Sequence, residues 1–139
     1  MYALTLKQPW AFAVAELGKD IENRTWRPPP SLIGQRFAIH AGKGFDHDGM
    51  APMYSIAKEL GLGDKIPGWT DSKYPRGQLV AVATLADVVT ESKSLWFGGP
   101  FGFVLTDVRK LSEPCTAKGY QKFWSLSPVL EEIVRSRAA

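Results

Sequence analysis

The hydrophobic period of the chain changes repeatedly, and those changes define its elements. Residues 3–7 alternate apolar and polar side chains around a β-branched threonine, which predicts a short strand. Gln8-Pro9 then opens a helix, because a proline in the first helical turn has no N–H whose partner would be lost. Trp10, Ala13, Val14 and Leu17 recur at helical spacing as its expected buried stripe, and Gly18 is the expected stop. Period two returns over residues 20–26. It places Glu22, Arg24 and Trp26 on one face of a second strand and Ile21, Asn23 and Thr25 on the other. Pro28-Pro29-Pro30 cannot donate to a ladder and marks a loop.

Residues 35–41 predict a third strand with Phe37, Ile39 and Ala41 on one side, broken afterwards by Gly42, Gly44 and Gly49. Met50, Met53, Ile56, Ala57 and Leu60 follow helical spacing up to Gly61 and Gly63. Residues 67–75 read as an irregular, mobile excursion. Residues 78–89 are nearly continuous apolar chain, the mark of a buried strand. The loop Trp96-Phe97-Gly98-Gly99-Pro100 leads into a strand over residues 101–108. A last strand is expected over residues 120–126, and Ser127-Pro128 starts a terminal helix running through Arg135. Five or six strands with two or three helices give an α+β class, a small mixed sheet closing into a barrel. Strands and helices do not alternate regularly enough for a doubly wound sheet, and no repeat or long linker divides residues 1–139 into more than one domain.

Charge changes this picture through its placement. Seventeen Lys and Arg against fourteen Asp and Glu leave only +3, too little to identify a nucleic-acid binder. Yet Lys7, Lys19, Arg24, Arg27, Arg36 and Lys43 all fall in the first third of the chain, interleaved with Trp10 and Trp26. Cys115 is the sole cysteine, so no internal disulfide forms, which fits a reducing compartment. The N-terminus lacks the basic and apolar regions of a signal peptide, and no window reaches the roughly 20 apolar residues of a membrane span. The expectation is a cytoplasmic protein with no membrane association.

The densest polar group runs from Gly18 to Trp26. Glu22 and Arg24 leave the same strand face, where a guanidinium fork can hold a carboxylate in one orientation. With Lys19 at the preceding turn, the group can fix a base edge through Glu22, meet a phosphate through Lys19 and stack a base on Trp26. A structural Glu22–Arg24 pair with Lys19 in solvent accounts for the same residues. His40-Ala41-Gly42-Lys43-Gly44 forms a second group, in which small residues and Lys43 can receive an anion. It is not a P-loop, because Lys43 is followed by glycine. Asp46 and Asp48 suit helix capping better than anion binding. His40 is a candidate general base, or else a strand histidine satisfied by a backbone group. Asp46-His47-Asp48 lacks a recognised metal spacing, so neither metal nor cofactor is implied. No Gly-x-Ser-x-Gly elbow is present.

Three stretches taken in order carry a family resemblance. Lys7-Gln8-Pro9-Trp10, then Gly18-Lys19 through Glu22-Asn23-Arg24-Thr25-Trp26, then Gly34 through Ala41, resemble the ASCH domain, whose lysine, glutamate and arginine spacing is matched at Lys19, Glu22 and Arg24. Similarity continues through residues 77–88, residues 101–111 with Pro114, and residues 119–126. The resemblance implies a PUA-like β-barrel with a cleft between barrel and first helix that binds RNA or modified bases. It also implies two possible hydrolase activities, ribonuclease or N4-acetylcytidine amidohydrolase. In the amidohydrolase branch Lys19 matches the lysine, Glu22 stands in place of the nearby threonine, and no residue is assigned to the distant acid.

The expected partner is therefore RNA or a modified nucleoside, with no protein partner assigned. Lys19, Glu22 and His40 are the candidate catalytic residues, and Lys7, Trp10, Arg24, Trp26 and Lys43 the candidate binding residues. For RNA cleavage, His40 or Glu22 takes the 2′-OH proton while Lys19, Arg24 or Lys43 stabilises developing charge. The alternatives are a non-catalytic reader of RNA or modified bases, and an interaction module using the apolar stretch from Trp96 to Phe103.

Overall fold

The computed structural model describes all residues, Met1–Ala139, as β1 (Tyr2–Gln8), α1 (Trp10–Glu16), β2 (Ile21–Arg24), β3 (Arg36–Phe45), α2 (Met50–Glu59), β4 (Gln78–Val89), β5 (Phe101–Thr116), β6 (Phe123–Ser125) and α3 (Pro128–Arg137). The strands make one mixed sheet in the order β2-β5-β4-β3-β1-β6. Only β1 and β3 pair in parallel, and α1 and β2 lie on the crossover between them.

Local chemistry explains the first crossover. Gln8 is fully buried, and its side-chain oxygen accepts the Phe12 N–H at 2.8 Å, satisfying a donor that the start of α1 leaves free. Its amide donates to the Pro75 carbonyl at 2.8 Å and so ties the 67–75 segment to β1. Ala13, Val14 and Leu17 are buried as the period requires, whereas Trp10 is only half-buried and its indole donates to Asp46 at 2.9 Å.

Four boundaries differ from the sequence pattern, the simplest being that β2 stops at Arg24 and leaves Thr25 and Trp26 in a bend. The other three lie later in the chain. First, β3 continues through Gly42 and Gly44 instead of ending there. A Cβ on Gly42 would sit 2.6 Å from Thr5 Cγ2, so the glycine lets β3 lie against β1. Second, β5 runs on to Thr116, with register shifts against β4 and a positive φ at Asp107 that bend it. Third, the last strand shrinks to Phe123–Ser125, and residues 117–122 lead into it without strand pairing.

The expected closed barrel is also corrected. β2 and β6 are free edges with no hydrogen-bonded ladder between them. Side chains close the gap instead. Trp26, just beyond β2, meets Phe103 edge-on at 5.3 Å and Phe123 of β6 at 6.1 Å. Phe123 in turn packs on Phe37 and stacks on Phe103. Arg24 of β2 reaches across the same opening, its Nη2 donating to the Thr5 carbonyl of β1 at 2.8 Å. Aromatic area and one guanidinium thus do what a ladder does in a closed barrel.

Two further clusters complete the interior. Helix α3 packs Val134 and Leu130 over Leu79, Val82 and Leu111, while α1 and α2 share a cluster with Ile21, Tyr74 and Trp96.

Phe103 is fully buried at the centre of the closure, so Phe103→Ala should cost about 3–5 kcal/mol of unfolding free energy. Urea denaturation is the check; a loss below about 1 kcal/mol, the range of ordinary surface changes, would contradict a closure made by side chains.

Candidate nucleic-acid interface

Beside the closure lies a cleft of about 570 Å³. Its cations are Lys7 from β1, Arg24 from β2, Lys43 from β3 and Lys122 from the approach to β6. Its aromatic walls are Trp10, Trp26 and Tyr120. Lys7, Lys43 and Lys122 have no carboxylate within 4.0 Å; the only acid lining the cleft is Glu22.

Glu22 is committed on both oxygens. Its Oε1 accepts from Lys19 Nζ at 2.9 Å and its Oε2 from Arg24 Nε at 3.0 Å. Strand alternation does put Glu22 and Arg24 on one face, as their spacing requires. Lys19 lies behind them. Its side chain is only 3% exposed, and its ammonium donates to the Ile21 carbonyl as well as to Glu22 and sits 5.5 Å from the Trp10 ring centroid. The backbone turns inward there because Gly18 adopts φ 69°, a conformation that favours glycine. Glu22 and Arg24 therefore form the floor of the cleft, with Lys19 buried beneath them and Arg24 the member nearest solvent.

Trp10 and Trp26 are both held in place. Asp46 fixes the Trp10 indole N–H and also accepts from the Gly49 backbone, capping the short turn His47–Gly49. Arg24 and Lys122 lie 5.9 and 5.4 Å from the centroid of the Trp26 ring. Asn23, also at the rim, is fully used elsewhere: its oxygen accepts from the Gly98 and Gly99 N–H groups, and its amide donates to the Trp96 carbonyl. That bonding, with Trp96 itself buried, anchors the aromatic loop that begins at Trp96.

His40 does not join the Glu22 cluster. It lines a neighbouring cavity of about 610 Å³, with its ring 1% exposed. Its Nε2 donates to the Ala117 carbonyl at 2.7 Å, an atom that can only accept, which leaves Nδ1 to accept from the Thr5 hydroxyl at 3.1 Å. The Thr5 oxygen itself accepts from the Trp124 indole at 3.0 Å. Burial pushes the imidazole below its ordinary pKa, partly offset by the Ala117 bond. Gly119 closes over this ring: a Cβ there would lie 2.5 Å from the imidazole.

Sequence reasoning missed the contribution of residues 118–122. The strand expected from residue 120 hid a loop that brings Tyr120, Gln121 and Lys122 to the cleft. The signal available was Lys118-Gly119-Tyr120-Gln121-Lys122 itself, two lysines flanking a tyrosine after a glycine. No residue of the 67–75 segment lines the cleft. No group of three or more His, Cys, Asp or Glu is placed to hold a metal ion, and no helix is long and apolar enough to cross a membrane.

No known family pattern matches this sequence, and no curated protein sequence matches it. Among solved structures, the crystal structure of ASCH from Zymomonas mobilis aligns with a TM-score of 0.57 over 99% of this chain and 95% of that one, at 15% identity. The chain thus has the α+β, PUA-like ASCH-domain fold. At this identity the likeness concerns the fold, and the site rests on the residues just described.

Two outcomes follow from the geometry. Glu22→Ala leaves the Lys19 ammonium buried without its carboxylate and should cost about 3–5 kcal/mol, whereas Lys43→Ala, exposed and unpaired, should stay within about 0.5 kcal/mol; urea midpoints distinguish them. For His40, the unfolded chain takes up the proton near its ordinary value of 6.5 and the fold only at lower pH. Stability is therefore full above about pH 6.5 and falls as pH drops from there toward the folded value. His40→Gln should remove that share of the acid slope, whatever its absolute stability; an unchanged slope would contradict a neutral buried imidazole.

Proposed function

We propose that the chain is a non-catalytic reader that binds single-stranded RNA, or a modified nucleoside within it, in the Trp10–Trp26 cleft. The observation that carries this reading is three unpaired lysines around half-exposed aromatic rings, beside a carboxylate that is already doubly paired. Lys7, Lys43 and Lys122 supply phosphate contacts. Trp26 and Tyr120 offer faces on which a base gains about 1–3 kcal/mol with little sequence preference. Gln121, whose exposed amide has both a donor and an acceptor, is the residue suited to a base edge. Lys19 and Glu22 hold the floor in this reading, and His40 supports the 117–119 loop.

Hydrolysis needs a base or nucleophile free to reach the reacting atom. Glu22 has both oxygens engaged and His40 both nitrogens, which favours reading over cleavage or deacylation.

Fluorescence anisotropy with a labelled single-stranded RNA, across a salt series, tests the proposal. These three phosphate contacts alone contribute about −2 to the slope of log K against log salt, and Lys43→Ala or Lys122→Ala should each reduce its magnitude by about 0.7. Mass spectrometry should recover the RNA and any acylated cytidine intact. Salt-independent binding would overturn the interface, and a product that disappears with Lys19→Ala would overturn the non-catalytic reading.

A further inference from the structure

The central cleft shares lining residues with two others and so lies between them. On one side, the cavity beside His40 shares Thr5, Lys43, Tyr120 and Gln121 with it. On the other, a cavity of about 580 Å³ beneath Arg27 and Pro28 shares Trp26 and Lys122 with it. The two outer cavities share no residue with each other. The segment 118–123 passes through them in order: Lys118 and Gly119 line the first, Tyr120 and Gln121 the first and second, Lys122 the second and third, and Phe123 the third.

The two shared aromatic residues have the same construction. Tyr120 lines both cavities of the first pair, with Lys118 Nζ 5.5 Å from its ring centroid; Trp26 lines both of the second pair, with Lys122 Nζ 5.4 Å from its own. Each junction thus includes an aromatic ring accompanied by a cation. Beyond the central cleft, Lys118 serves one end and Arg27 the other, and neither has a carboxylate partner.

We infer that the ligand is an oligoribonucleotide lying along residues 118–123, with successive nucleotides in the three cavities, the backbone following Lys118, Lys43, Lys122 and Arg27, and bases set against Tyr120 and Trp26. This rests on the reading of the central cleft given above and extends it, since a free nucleoside would fill one cavity and leave two.

The test is affinity against length, using cytidine 5′-monophosphate and oligocytidylates of two, three, four and six nucleotides on the intact protein. Each added nucleotide up to three should raise affinity roughly five- to tenfold through added stacking and phosphate contact, with little gain beyond four. Arg27→Ala and Lys118→Ala, both at exposed positions, should weaken the trinucleotide several-fold more than the monophosphate. If the monophosphate binds as tightly as the tetramer and the outer variants are silent, the three-site track is wrong while the central cleft stands. If no length binds, both fall.

Discussion

The Glu22 carboxylate is the constraint on which the site depends. It joins Lys19, from the turn after α1, to Arg24, which reaches over to the Thr5 carbonyl of β1. One buried acid thereby connects the first helix, edge strand β2 and the far side of an open sheet. Such charges are costly to remove from water and persist only when each is matched, and here no buried side-chain polar atom is left without a partner. The matching fixes Arg24 against Trp26, and Trp26 against the phenylalanines that fill the gap between β2 and β6. Interior closure and the wall of the cleft meet at that tryptophan.

The same matching separates fixed charges from available ones. Lys19, Glu22 and Arg24 satisfy one another, while the surrounding lysines face solvent without acidic partners. An anion entering the cleft meets an uncompensated positive field, moderated by salt over about 8 Å at physiological ionic strength. The polar work of the interior is finished elsewhere: His40, Thr5, Trp124 and Ala117 close a hydrogen-bonded chain that positions the loop carrying Tyr120.

Much of this was legible where local periodicity decides the outcome. The Glu22, Arg24 alternation brought two cleft residues to one face, and Ser127-Pro128 marked the start of α3, where the Ser127 hydroxyl accepts the Leu130 N–H. What stayed hidden depends on contacts distant in sequence. Nothing local says that Lys19 points inward to Glu22, or that Gly42 continues a strand because Thr5 leaves no room for a Cβ. Residues 120–126 read as one strand, yet pairing with β1 covers only Phe123–Ser125, and Tyr120, Gln121 and Lys122 form the cleft wall. Likewise, closure by Trp26 and Phe123 cannot be told from closure by a ladder until the strand order is known.

A double-mutant cycle on Glu22 and Arg24, read as unfolding free energy from urea denaturation, tests the central claim most directly. Glu22→Gln, Arg24→Gln and the double variant should show a coupling of about 1.5–3 kcal/mol, because each group satisfies the other in a poorly hydrated floor. Additive losses, within about 0.5 kcal/mol, would mean that the pair does not hold the cleft together and that Glu22 is free for another role.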